Sequence, residues 1–535
     1  MKSIKKFLAV ILSMTLMLTL GTAAFGAQKT LPSGKDTGSI NVTNLKPGDT
    51  VTAYQFVKAD YNEYGFTGYS AINNYVKDPV APTAQEVIDM ASNAATMTVA
   101  AEKKVATGDT EVTLNGLPVG YYLVMVTSGS ETVYSPMIAG IYYSKSATDN
   151  TLTNGAISAD SDFEIKAQKC WAKSSTPKLE KTIVTPSSKN SKGDDIAIGD
   201  KITFNLSATV PSYSKEYKKV TYKIYDIMSE GLDYVDGSMK CFIEKYENNR
   251  ENIKVTPKVN GGIIEITFDS KFILEYPGQK IQVEYQAKLN EKAGVNFDAN
   301  INKAYLEYSN NPASGSTAKT GEDKVYVYTF GIDSNLFGKS TEKWNEKTKE
   351  LIKVEEGEYQ WVETEKESGI FTTTTALEGA TFTLTNNKTK KSYTATSDKY
   401  GYLKFTGLDA GEYTLQETDA PDGFTLNDAK HTVVITAEYN QDGTLKSYTI
   451  KIDDKATSTY TATYDKGVIK TITSTKDSQG NISESAILKN SKMSFLPSTG
   501  GVGTTIFAIV GVVFVAVALG LHMILRGKSK LEQDR

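Results

Sequence analysis

Histidine and cysteine are almost missing from this 535-residue sequence, with two of each. His522 falls inside an apolar run near the C-terminus, leaving His431 alone elsewhere, so neither a His-based triad nor a zinc site of several histidines is expected. No GxSxG or HExxH pattern and no Cys/His constellation is present, which argues against a hydrolase. We therefore expect no enzyme, no cofactor and no bound metal. Charge of one sign is also lacking: 59 Lys and Arg against 63 Asp and Glu leave a net charge of −4 and no basic surface to draw nucleic acid. Long runs of helical periodicity are scarce. What is abundant is tyrosine, 31 residues, together with threonine, a composition suited to β-sheet.

The two ends of the chain are distinctive. Lys2, Lys5 and Lys6 precede an apolar stretch from Phe7 to Leu20 and then the small residues Gly21 to Ala24. A basic start, a short apolar core and a small-residue exit make a secretory signal peptide, with cleavage expected after Gly26 or one residue later. At the other end, Ile506 to Leu525 is long and apolar enough to cross a bilayer as a helix, and Arg526, Lys528 and Lys530 would keep the tail cytoplasmic. Immediately before it stand Leu496, Pro497, Ser498, Thr499 and Gly500. This pentapeptide resembles the LPxTG sorting signal of sortases, the cysteine transpeptidases of Gram-positive bacteria. Its order with the apolar span and basic tail matches the whole signal. The resemblance implies cleavage after Thr499 and transfer of the threonyl carbonyl to an amine, and hence a protein exported and fixed at the cell surface. In an exported chain Cys170 and Cys241 could form a disulfide, but neither spacing nor context argues that they meet.

Between the ends, about 470 residues suffice for roughly three domains. In the first, Val51–Phe56, Tyr121–Val126 and Thr132–Ile138 alternate as strands, and Thr83-Ala84-Gln85-Glu86 opens one helix as a capping box. In the second, strands are expected at Lys201–Thr209, Lys219–Tyr225, Gly262–Phe268 and Gln279–Leu289. The run Ser314 to Gly321 reads as a boundary or a long loop. The third opens with Val325–Ile332, continues through a mixed-charge stretch, 340–368, that reads as a solvated hairpin or loop insertion, and becomes a compact β-unit from Leu377 onward. Many short strands with turn signals between them predict an all-β chain of three tandem immunoglobulin-like β-sandwiches. The expected divisions are a signal peptide at 1–26, sandwiches at 27–170, 171–322 and 323–493, the sorting motif at 496–500, a membrane span at 506–525 and a tail at 526–535.

The phrases LEGATFTL, GYLKFTGLDAGEYTLQETDAPDGF and NKAYLEYSNNP resemble those of collagen-adhesin B-type domains. Their order, behind a signal peptide and ahead of LPSTG, is similar to that of the backbone pilins of sortase-assembled pili. The resemblance implies intramolecular isopeptide bonds between a first-strand lysine and a last-strand asparagine, assisted by an acid. The chemistry is reasonable on side-chain grounds. A lysine buried among aromatics loses its proton, a buried carboxylic acid keeps its own, and folding supplies proximity. By resemblance, Lys181 in LEKTIV, Asn302 in NKAYLEYSNNP and Asp226 in YKIYDIMSEGL form the set of the second domain. In the third, Glu417 matches the acid and Asn490 the asparagine, with Lys339 as first candidate lysine and Lys343 as second. The first domain lacks the motif and is expected to be unbridged. The lysine that would receive the threonyl group of the next subunit is expected at the first junction. There Trp171-Ala172-Lys173 fits the family spacing with Ala in place of Pro, and Pro177-Lys178 is the alternative. Expected partners are sortase, identical subunits, minor tip and base pilins, and peptidoglycan. A monomeric wall-anchored adhesin that binds host surface ligands is the competing reading.

Overall fold

The computed structural model describes residues 31–145, 153, 156–157, 163–184, 190–245, 249–339, 349–355, 358–363, 374–399, 401–453, 456–476 and 487–492. The signal peptide, sorting motif, membrane span and tail expected from the sequence lie outside these residues, as does Lys343. No helix among the described residues is long and apolar enough to cross a membrane.

The described residues are mostly β, laid out as three sandwiches in succession. In the first, a sheet ordered Gly65–Ala71, Thr50–Asn62, Gly120–Thr127, Met137–Ser144, Glu164–Ala167 faces a smaller sheet in which Thr37–Thr43 lies between Lys169–Trp171 and Glu111–Pro118. Ile40, Val42, Val51, Leu114, Tyr122, Val124 and Ile141 fill the space between them. The expected strand Thr132–Ile138 is broken at Ser135-Pro136 into Val133–Tyr134 and Met137–Ser144, since proline has no N–H to give a ladder. The helix Ala84–Ser92 begins as expected, with Thr83 Oγ1 accepting from the Glu86 N–H and Glu86 returning a bond to the Thr83 backbone.

The middle sandwich shows the physical rule most plainly. Along Lys201–Thr209 the buried residues are Ile202, Phe204, Leu206 and Ala208; along Lys280–Leu289 they are Ile281, Val283, Tyr285, Ala287 and Leu289. Period-two burial is what a half-covered strand requires. These two strands pair with each other and with Leu179–Ile183 on one side and Lys240–Lys245 on the other. The facing sheet runs Gly193–Asp195, Asp323–Tyr328, Asn300–Asn311, Tyr222–Met228, Ile263–Thr267, Lys258–Asn260. The Ser314 to Gly321 run is a hairpin within this sheet: Ser316–Lys319 pairs antiparallel with Asn300–Asn311. Asp323–Tyr328, beyond it, pairs with the same strand.

In the third sandwich, Phe330–Lys339 lies between Thr374–Ala376 and Ile487–Lys492, the latter running parallel to it. The facing sheet runs Ser392–Thr396, Thr381–Asn386, Gly411–Asp419, Lys430–Tyr439, Leu445–Ile452, Ala456–Asp465, Val468–Lys476. The mixed-charge stretch contains a hairpin, Lys349–Glu355 with Glu358–Glu363.

Short-range contacts tie the sandwiches together. At the first junction Ser174–Ser175 pairs with Val133–Tyr134, and the Tyr308 hydroxyl donates to the Glu131 carbonyl at 2.5 Å. At the second, half-buried Asp195 accepts from the Tyr439 hydroxyl at 2.6 Å and from the Ala410 N–H. Gly193 there meets Gly443 so closely that a Cβ on it would stand 2.2 Å from the Gly443 carbonyl oxygen.

Candidate functional site: buried lysine, acid and asparagine

Three polar side chains of the middle sandwich occupy inward positions, in phase with the buried residues around them. Lys181 alternates with Leu179 and Ile183, Asp226 with Ile224 and Met228, and Asn302 with Asn300 and Ala304. All three are fully buried. Antiparallel pairing of Tyr222–Met228 with Asn300–Asn311 sets Met228 against Asn302 and Asp226 against Ala304, so acid and asparagine lie two residues apart on one sheet. Lys181 comes from the sheet opposite.

The side chains converge. Lys181 Nζ donates to Asp226 Oδ2 and, at 3.1 Å, to the Tyr285 hydroxyl. It also lies 5.0 Å from the Phe204 ring centre and 5.2 Å from that of Tyr285. The Tyr285 hydroxyl donates to Asp226 Oδ1 at 2.8 Å and accepts from Asn302 Nδ2 at 2.7 Å. Asn302 Oδ1 is buried without a hydrogen-bond partner. Burial pushes the Lys181 amine down and the Asp226 carboxyl up, against the attraction each exerts on the other. Both directions favour the uncharged pair, a free amine beside a protonated acid. An amine with its lone pair available, a proton carrier and an asparagine carboxamide are the components of amide exchange.

Tyr285 is the member that sequence reading missed. Its place in IQVEYQAKL makes it a core position, but nothing local shows that its hydroxyl has partners on three other strands.

In the third sandwich Glu417 and Asn490 are again buried together. Asn490 Nδ2 donates to Glu417 Oε1 and Oε2 at 2.7 and 2.8 Å and to the Thr425 carbonyl at 3.1 Å; Glu417 Oε2 also accepts from the Asn427 N–H at 2.6 Å. Burial raises the Glu417 carboxyl above its ordinary value. Asn490 Oδ1, like that of Asn302, has no partner. The backbone position level with Asn490 on the neighbouring parallel strand is Gly338, and Lys339 is level with Ser491.

Both junction lysines are exposed. Lys173 follows buried Ala172, whose N–H donates to the Thr43 carbonyl at 2.9 Å, and its own carbonyl accepts from Ser135 at 3.0 Å. The backbone beneath Lys173 is thus pinned on both sides. Trp171 beside it is 67% exposed. Lys178 sits between buried Pro177 and Leu179, three residues before Lys181. Cys170 and Cys241 are free thiols in the first and middle cores, each pushed up to about 12 by burial. No group of metal-ligating side chains occurs among the described residues.

A T6 antigen immunoglobulin-like domain matches residues 35–174, a SpaA prealbumin-like fold domain 360–453, and an LPXTG cell-wall anchor motif 489–530. The chain is 26% identical to the trypsin-resistant surface T6 protein of Streptococcus pyogenes serotype M6, over 93% of its own length and 96% of that protein's. The solved structure of the T6 backbone pilin of S. pyogenes serotype M6, a modular three-domain protein, superposes with a TM-score of 0.57 at 20% identity, covering 86% of this chain and all of that one.

Proposed function

We infer that this chain, a cell-wall-anchored homologue of Gram-positive backbone pilins, is the major structural subunit of a covalent surface pilus. The observation that carries the reading is end-to-end homology to the T6 protein in a chain that also bears a cell-wall anchor motif. On this reading the mature subunit runs from about Ala27 to Thr499. Sortase cleaves after Thr499 and joins its carbonyl to Lys173 of the next subunit, with Lys178 as the alternative acceptor. The exposed, backbone-pinned position of Lys173 supports the choice. Minor tip and base pilins and peptidoglycan are the remaining partners.

The same reading assigns the buried sets to self-generated isopeptide bonds. In the middle sandwich Lys181 joins Asn302 with Asp226 as proton carrier. In the third, Asn490 is joined with the help of Glu417, and Lys339, in the strand beside Asn490, is the lysine assigned.

An immunoblot of wall extracts tests the polymer. A ladder of high-mass species that survives boiling in SDS is expected, and Lys173→Ala should collapse it to a wall-attached monomer. Loss of the ladder with Lys178→Ala instead would move the acceptor site and leave the pilin reading intact. Absence of any ladder in the wild type would favour the monomeric adhesin.

A further inference from the structure

We propose that Tyr285 is a catalytic proton relay that delivers the proton needed by the departing ammonia when Lys181 bonds to Asn302. The proposal rests on the Lys181–Asn302 bond assigned above and goes beyond it.

The argument comes from which atoms touch. Asp226 has one oxygen, Oδ2, on the nucleophile Lys181 Nζ. Its contact towards the asparagine is indirect: Oδ1 meets the Tyr285 hydroxyl at 2.8 Å, and that hydroxyl meets Asn302 Nδ2 at 2.7 Å. The third sandwich differs, because Glu417 reaches the Asn490 amide nitrogen directly with both oxygens. An acid that touches the leaving nitrogen needs no intermediary. Asp226 has one interposed.

The step balances. The free amine of Lys181 attacks Asn302 Cγ, and a C–N bond forms. In the planar carboxamide, Nδ2 can only donate, and it donates to the Tyr285 oxygen. Once Cγ becomes tetrahedral, Nδ2 is an amine with a lone pair, and both hydrogen bonds of the Tyr285 oxygen reverse: its hydroxyl turns from Asp226 Oδ1 to donate to Nδ2, and the acid proton of Asp226, carried on Oδ1, turns to donate to the Tyr285 oxygen. The proton on Asp226 Oδ1 passes to the Tyr285 oxygen as the tyrosine proton passes to Nδ2. Nζ gives one proton to Asp226 Oδ2. The Cγ–Nδ2 bond breaks, ammonia leaves, and the acid and tyrosine end as they began, each having gained and lost one proton. Tyr285 never needs to ionise, in keeping with a hydroxyl that burial holds well above its ordinary value of 10.0. Oriented groups in a dry site are where such proton transfer is effective.

The test follows bond formation in freshly synthesised ectodomain, using intact mass for ammonia loss and the Lys181–Asn302 cross-linked peptide as the site-specific readout. Tyr285→Phe keeps the ring that packs on Phe204 and Tyr234 and removes only the hydroxyl. Bond formation should slow by about 10²–10⁴-fold, the usual contribution of a positioned acid or base. Fluorinated tyrosine at 285 keeps both ring and hydroxyl but changes the hydroxyl's acidity, so it tests the relay even if Tyr285→Phe folds poorly; a purely structural hydroxyl would leave the rate unmoved. A cross-link that forms at the wild-type rate in folded Tyr285→Phe, or a rate indifferent to fluorination, would overturn the relay while the bond stands. A wild-type chain that never yields the cross-linked peptide would overturn the bond itself.

Discussion

A buried lysine is informative only when its neighbours are known. Lys181 reads in the sequence as one of many lysines, and its order relative to Asp226 and Asn302 sets it apart only by resemblance to a family. The structure adds the physical part: three groups at inward positions of facing sheets, an amine pushed down, an acid pushed up and a shared tyrosine. Tyr285 was illegible because partnership across sheets depends on register, and one residue of slip would turn the ring outward. Register also decides what can be read in the third sandwich, where Gly338 is level with Asn490. Two outcomes follow at this scale. Asp226→Ala removes the proposed proton carrier and leaves the surrounding aliphatic core, so the variant should fold and retain the mass of one ammonia relative to wild type. Glu417→Ala should do the same for the third sandwich. Intact mass with circular dichroism checks both, and a folded variant that still loses its ammonia would count against the acid it lacks.

Elements were legible where a single rule governs them. Period-two alternation gave Lys201–Thr209 with the same bounds as the structure, and the capping box at Thr83 marks the start of Ala84–Ser92. The short helix Ser270–Glu275, capped by Asp269, and the hairpin of Ala456–Asp465 with Val468–Lys476 escaped notice. The helix is too brief for periodicity to register, and the hairpin's threonine-rich strands lack a clear buried face. Thr83→Ala should cost about 1 kcal/mol of first-sandwich stability, the ordinary value of an N-cap, and calorimetry of the ectodomain would measure it. The second junction offers a pH test. Burial raises Asp195 from its ordinary 3.8 to about 6, despite the Tyr439 and Ala410 hydrogen bonds that lower it. Below pH 4 both folded and unfolded forms are protonated and the group contributes no penalty. As pH rises from about 4 to 6 the unfolded chain ionises first, so the folded junction loses stability, by on the order of 2–3 kcal/mol, and no further above that window. Asp195→Asn should flatten this component of the thermal-melt profile; an unchanged profile would mean the carboxyl is not the group responsible.

On the proposed reading the subunit carries load from one joined end to the other, and the position of a cross-link decides which part of the chain feels it. The chain enters the middle sandwich at Leu179–Ile183 and leaves through Asp323–Tyr328 into the third. A bond from Lys181 to Asn302 sends tension across the bond and relieves everything between. Hydrogen bonds loaded in sequence can open one at a time, whereas a covalent bridge cannot be opened that way. The proposed bridge would also restrict the unfolded chain, by on the order of 4–5 kcal/mol for a loop of this size if disulfide loop-entropy reasoning carries over, so that free Cys170 and Cys241 need not pair. The segment left in the load path follows Asn302: the rest of Asn300–Asn311, the Ser316–Lys319 hairpin and Asp323–Tyr328. Under tension, wild-type middle sandwich should therefore release only that stretch, about 26 residues or roughly 90 Å of extended chain. Asp226→Ala frees about 120 further residues and should lengthen the same event by roughly 400 Å. Single-molecule force spectroscopy of the ectodomain reads this difference directly. Equal extensions in the two proteins would mean that the bridge is absent from the load path, whatever the mass spectrum shows.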